Sequence, residues 1–140
     1  MNTTRKHSIE TLARFSNIRE NQAGERVAGT RNALEGAERR VDMLGAYRRQ
    51  IARQVEAEVM FGQALHALAA FDTVTRVAEQ QARSQRIALR SELAEAIDAW
   101  AGCRNEGQVL HKKYADAVRT ERHDIELAQE RLAPPAGVAK

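Results

Sequence analysis

Only two prolines occur in these 140 residues, and they are adjacent, Pro134 and Pro135. Proline lacks the amide proton a helix needs, and it biases the residue before it away from helix. Everything ahead of Ala133 is therefore free to be helical, and the composition favours that outcome. Ala, Arg, Glu, Leu and Gln dominate, all of them good helix formers. Much of the 43% hydrophobic share is alanine, and aromatic residues make up 4%, too few for a core built on large rings. No stretch alternates Val, Ile, Thr and aromatics between turn residues, so strands are not expected. Such a chain reads as long helices or coiled coil.

Two apolar stripes run through the helical stretch. The first begins at Ile9 with Leu12, Phe15 and Ile18, and is weakened by Gly24 and Gly29, each costing about 1 kcal/mol relative to alanine. Its strongest part follows as Val27, Leu34, Ala37, Val41, Leu44, Ile51 and Val55, largely at the spacing of a seam that faces one partner helix. Arg48 falls on this seam and is expected to snorkel towards water. Met60, Phe61 and Gly62 interrupt the pattern, and a glycine with left-handed backbone angles can close a helix. The short connection makes the next helix antiparallel to the first. The second stripe opens with Leu65, Leu68, Phe71, Val74 and Ala78 and turns polar around Gln81 and Gln85. It then resumes one residue out of phase as Leu93, Ala96, Trp100, Cys103, Gly107, Leu110, Tyr114 and Ala117. A phase shift of that kind predicts a local change of supercoil. The expected fold is all-α, a long antiparallel two-helix coiled-coil hairpin over residues 1–133. Helix 1 is placed at about 6–60, the tip at about 61–64, helix 2 at about 65–132, and a flexible tail at 134–140. Each helix would measure roughly 80–100 Å at the usual rise per residue.

The net charge of +3 and pI of about 9.4 arise in the first 62 residues, the remainder being balanced. Acids and bases interleave, which reads as a solvated helix surface rather than a nucleic-acid footprint. Cys103 is the only cysteine, so no intramolecular disulfide forms and a reducing compartment is compatible. Met1–Lys6 is polar with no apolar segment after it, and no run approaches the ~18 residues of a membrane span. A soluble, cytoplasmic protein is expected. His7, His66, His111 and His123 lack metal-ligand spacing, and no phosphate-cradling glycine loop or nucleophile elbow occurs. Glu35, Glu38 and Asp42 are spaced for salt bridges with arginines. The expectation is no enzyme activity, no metal and no cofactor.

Two clusters stand out as contact candidates. Arg40, Leu44, Tyr47 and Ile51 share one helical face, as do Phe71, Thr75, Ala78 and Ala82. A tip near Phe61 would bring the two clusters level. Leu44, Ile51, Phe71 and Ala78 are read equally well as seam residues. Tyr47 lies beside the seam among Arg48 and Arg49, where a tyrosine suits a contact surface.

At these residues the chain resembles a known family. The run from Ala37 to Arg48 (Ala-Glu-Arg-Arg-Val-Asp-Met-Leu-Gly-Ala-Tyr-Arg), then Gly62, Phe71, Ala78, Gln81 and Ala96 to Trp100, is similar to FliJ, the stalk protein of the flagellar type III export apparatus. The similarity spans about Ile9 to Val118. It implies an antiparallel two-helix coiled coil like that of the rotor subunit of rotary ATP synthases. It also implies three kinds of partner: the hexameric export ATPase, whose ring assembly such proteins promote; the cytoplasmic domain of the membrane export gate; and substrate-specific export chaperones. The localisation implied is cytoplasmic, peripheral at the inner face of the export apparatus. By motif position the family's gate-binding patch falls on Arg40, Leu44, Tyr47, Ile51, Phe71, Thr75, Ala78 and Ala82. Leu44, Tyr47, Phe71 and Ala78 fit the pattern. Arg40, Ile51, Thr75 and Ala82 stand where the family often has glutamine, a second tyrosine, a larger apolar residue and a polar ring. ATPase contact is expected at the end bearing both termini, with Arg14, Arg19 and Arg26 facing Arg119, Arg122 and Glu126.

Three function classes remain open at the level of sequence. One is the export stalk and adaptor, in a flagellum or as the YscO-type counterpart of a virulence injectisome. Another is a generic structural coiled coil that dimerises through its seam. The third, a basic helical nucleic-acid binder, is disfavoured by the balanced second helix and the scarcity of lysine.

Overall fold

The computed structural model describes residues 2–57 and 62–132, and they form two helices, α1 (Asn2–Ala57) and α2 (Gln63–Leu132). Among the described residues there is no strand. The fold is all-α, with the two helices packed against each other in antiparallel fashion. The tip expected at 61–64 is described only from Gly62 onward; Phe61 and the prolines at 134 and 135 lie outside the described residues. Gly62 has φ of 70°, an angle L side chains rarely adopt. Its carbonyl accepts the backbone N–H of His66 at 3.2 Å, the first bond of α2. The glycine has the left-handed angle expected from the sequence, and its carbonyl opens α2.

The helices make two compact units. One comprises residues 25–98 and the other residues 1–24 with 99–140. In the first unit, burial defines the seam of α1 as Thr30, Leu34, Ala37, Val41, Leu44, Arg48 and Ile51, in unbroken alternation of steps of four and three. These are the a and d positions of a heptad, with Arg48 at a and Ile51 at d. The seam of α2 runs through Leu68, Asp72, Thr75, Glu79, Ala82, Arg86 and Leu89, then Leu93 and Ala96, equally unbroken. The phase shift expected near Gln81 and Gln85 is absent. Polar and small residues hold the seam positions there, while the larger Phe71 and Val74, 53% and 66% exposed, stand on an outer stripe offset by one residue. That outer stripe is Ala67, Phe71, Val74 and Ala78, continued by Gln81, Gln85 and Ala88.

Three cross-helix contacts fix the register of this unit. Arg48 Nη1 donates to Glu79 Oε2 at 2.9 Å, an a–a′ pair within the seam. Arg40 Nη1 donates to Gln85 Oε1 at 3.0 Å along the g–g′ edge. Arg90 and Glu38 pair at 3.5 Å along the e–e′ edge. The register places a large residue opposite a small one in successive d layers: Leu89 with Ala37, Leu44 with Ala82, Ile51 with Thr75. Such pairs let two helices approach closely while leaving little room to bury a large side chain on both.

Glu79 is the polar centre of the seam, 5% exposed. It also accepts from Arg83 at 2.7 Å, and Asp72 pairs with Arg76 at 2.9 Å. Arg48 therefore does not simply snorkel to water; it turns inward to Glu79. The hydrogen bond from Arg48 is the main reason the Glu79 carboxyl sits below the ordinary value of 4.5; burial opposes it, and the nearby charges of Arg83 and Arg48 assist. The same hydrogen bond raises the Arg48 guanidinium above its ordinary value.

In the other unit the seam of α1 is Lys6, Ile9, Ala13, Ser16, Glu20 and Ala23, not Leu12, Phe15 and Ile18, which are 53%, 61% and 53% exposed. Gly107 of α2 explains how polar Ser16 and Glu20 fit. A Cβ on that glycine would lie 3.3 Å from Ser16 Oγ and 3.5 Å from Glu20 Oε2, so the backbone itself fills the layer. Trp100 packs beside Gly24, with Arg104 over its ring at 5.5 Å. Cys103 occupies a seam position and is half-buried. Lys6 pairs with Glu121 at 3.3 Å and Arg19 with Glu106 at 3.6 Å.

Two predictions follow from the seam. Glu79→Leu leaves Arg48 only the more distant Asp72, at 3.9 Å, and lowers the melting temperature by roughly 5 °C at neutral pH, whereas the double change Arg48→Leu with Glu79→Leu is at least as stable as the parent. Because the folded pKa of Glu79 is depressed, its contribution is fully present above about pH 4.5 and is lost as pH falls through the folded value. The gap in melting temperature between parent and Glu79→Gln, followed by circular dichroism, accordingly narrows towards pH 3. The second concerns glycine. Gly29 has nothing within 4 Å of a built Cβ, so Gly29→Ala raises unfolding free energy by about 1 kcal/mol through helix propensity alone. Gly107→Leu overpacks its layer and lowers it by about 1–3 kcal/mol. Urea denaturation measures both.

Candidate protein-binding surface

The eight candidate residues divide by heptad position. Leu44, Ile51, Thr75 and Ala82 occupy d positions in the seam, where Ile51, Thr75 and Ala82 are buried and Leu44 is half-buried. Thr75 spends its hydroxyl on the carbonyl of Phe71 at 2.8 Å. These four side chains hold the helices together and offer little area to a partner. Arg40, Tyr47, Phe71 and Ala78 occupy g positions and line one edge of the residue 25–98 unit. Tyr47 is 48% exposed. The expected patch is thus half surface and half core.

The register sets the spacing along that edge. Arg40 meets Gln85, so one heptad further along α1 Tyr47 stands across from Ala78, and Phe71 stands across from Gln54. Tyr47 and Phe71 are therefore on the same edge but not level: they are separated by one heptad, about 10 Å along the axis. Ala78 is level with Tyr47 and one heptad from Phe71, a small residue beside two anchors.

Two neighbours extend the surface beyond what sequence reasoning named. Met43 on α1 and Val74 on α2 lie at c positions beside the g edge, and Met43 is 53% exposed. The signal that could have placed Val74 on this surface is the outer stripe of α2, visible in the sequence as a four-and-three alternation through Phe71, Val74 and Ala78 once the inner seam is assigned.

Where α1 approaches Ala57 and α2 begins, the same unit holds an open groove of about 420 Å³. Ile51, Val55, Leu65 and Leu68 form its apolar floor, and Arg48, Asp72 and Arg76 its rim. Val55 and Leu65 continue the a positions of the seam, yet they are 46% and 44% exposed.

The basic residues expected to face one another near the termini are arranged differently. Arg19 meets Glu106 rather than Arg119, Arg14 pairs with Glu10 at 3.0 Å, and Arg119 pairs with Asp116 at 2.8 Å. Among the described residues no group of three His, Cys, Asp or Glu side chains could hold a metal ion. Among them, too, no helix is long and apolar enough to cross a membrane. No family model matches the chain, and no curated protein or solved structure matches it.

Proposed function

We propose that the chain is a stalk and adaptor component of a type III protein export apparatus. It would bind the export ATPase ring and promote its assembly, and contact the export gate and substrate chaperones. The observation that carries this reading is the g edge of the residue 25–98 unit, where Tyr47 and Phe71 expose their rings beside the small Ala78. An antiparallel helix pair that keeps two aromatics on one edge has anchors for a protein partner. The resemblance to the FliJ family over Ala37 to Arg48, Gly62, Phe71 and Ala78 supplies the identity of the partners. The same reading has two settings, the flagellum and the virulence injectisome. In either, the gate contact rests on Arg40, Tyr47, Phe71 and Ala78, while Leu44, Ile51, Thr75 and Ala82 act by holding the edge in place.

A generic coiled-coil dimer is the competing reading, and it is favoured by one feature, the exposed Leu12, Phe15 and Ile18. Sedimentation separates the two: the adaptor is mainly monomeric, the generic coiled coil a dimer.

Mixing the chain with its cognate export ATPase at low salt is expected to raise both hexamer formation and ATP hydrolysis. No change in either sinks the proposal. Tyr47→Ala and Phe71→Ala are expected to weaken binding to the gate's cytoplasmic domain at least five-fold while moving the melting temperature by no more than about 2 °C, as exposed substitutions do. A collapse in melting with unchanged affinity per folded molecule would make both residues structural.

A further inference from the structure

We infer that the outer face of the residue 25–98 unit is a docking site for one acidic amphipathic α-helix of another protein, which packs along α2 as a third helix. The inference concerns the same face as the proposed gate contact and rests on that reading only in treating the face as a docking surface.

The periodicity points to a helix. The outer stripe of α2 is apolar at Ala67, Phe71, Val74 and Ala78, in steps of four and three one residue out of phase with the inner seam, then passes through Gln81 and Gln85 to Ala88. That spacing of apolar residues is what a helix needs to pack along another helix. The stripe's members are exposed apart from half-buried Ala78, and Phe71 and Val74 supply the anchors. Alanines at 67, 78 and 88 allow close approach, and Met43 and Tyr47 of α1 form the second wall.

The charge pattern selects the occupant. At the c, f and g positions of α2 from residue 67 to 88 no side chain is charged. At the corresponding positions of α1 from residue 39 to 54 the charged residues are Arg39, Arg40 and Arg53, with no carboxylate. The acids of this part of the molecule lie elsewhere: Asp72 and Glu79 in the seam, Glu38 on the e edge, Asp42 and Glu56 at b positions. A helix seated between Ala67 and Ala88 therefore meets arginine and no acid, the next carboxylates along the stripe being Glu92 and Glu95, so flanking Glu or Asp on the incoming helix is favoured there and Lys or Arg opposed. A second copy of this face is the poorer occupant. A two-fold contact sets each surface against itself and brings Arg39, Arg40 and Arg53 of both copies together.

The test uses the full chain and two labelled synthetic helices of about three heptads, the length of the stripe, with leucine and alanine at a and d. One carries glutamate at e and g, the other lysine. Fluorescence anisotropy at low salt is expected to show binding of the acidic helix at least ten-fold tighter than the basic one, with a gain of helicity on mixing. Val74→Glu is expected to weaken the acidic helix at least ten-fold without altering the thermal melt, and Arg39→Glu with Arg53→Glu to reverse the preference. Failure of both peptides to bind, or equal binding of the two, overturns the inference. So does a concentration-dependent dimer in sedimentation that Val74→Glu dissolves, which would make a second copy the occupant. The ATPase assay stands apart: stimulation without peptide binding overturns this inference alone, and peptide binding without stimulation overturns the export reading alone.

Discussion

Two helices that have only each other can bury one stripe apiece. In a bundle of three or four, an apolar residue displaced from one seam can find another; here it meets water. That constraint accounts for the thin core, in which the buried apolar side chains of the residue 25–98 unit are Ala37, Val41, Ile51, Ala82 and Ala96. It also makes the choice of seam consequential. A one-residue change of phase turns α2 by about 100° and exchanges everything it hides for something it shows.

The seam that α2 presents is not the most hydrophobic one it could offer. Between Leu68 and Leu89 it buries or half-buries Asp72, Thr75, Glu79, Ala82 and Arg86, and leaves Phe71 and Val74 outside. Burying Glu79 carries a desolvation penalty, offset by two hydrogen bonds from Arg48 and Arg83. What such a pair supplies is alignment. An a-position carboxylate needs its guanidinium directly opposite, and slipping α1 against α2 by one heptad would set Val41 or Val55 across from Glu79 in place of Arg48.

This is also where sequence and structure part. Long helices and their antiparallel packing were legible, because the proline pair, the helix-forming composition and the apolar periodicity all agree. The seam after Trp100 was legible too, since Cys103, Gly107, Leu110, Tyr114 and Ala117 have no competing stripe. The phase between Phe71 and Gln85 was not. A reading led by apolar side chains follows Phe71, Val74 and Ala78 onto the outer stripe and then needs a phase shift to rejoin Leu93. The same bias favoured Leu12, Phe15 and Ile18 over Ser16 and Glu20, because a layer completed by the bare backbone of Gly107 has no hydrophobic signature. Extending the steps of four and three backwards from Ala96 and asking where Arg48 finds an acid would have recovered the inner seam. The candidate surface was half legible for the same reason: residue type picked out Tyr47 and Phe71, whereas only burial separates them from Ile51 and Thr75.

The polar layer and the exposed edge are then two sides of one arrangement. Rotating α2 to bury Phe71, Val74 and Ala78 would gain apolar area, at roughly 25 cal/mol per Å². It would also pull Glu79 away from Arg48 and carry Gln81 and Gln85 into the seam. The Arg48–Glu79 pair opposes that rotation, and the cost of separating two partly buried charges falls in the range that competes with a few apolar side chains. A salt bridge in the seam thereby keeps an apolar stripe in water. A chain selected only for stability would have no use for that combination, but a chain that must offer a pre-aligned apolar edge to another helix requires it.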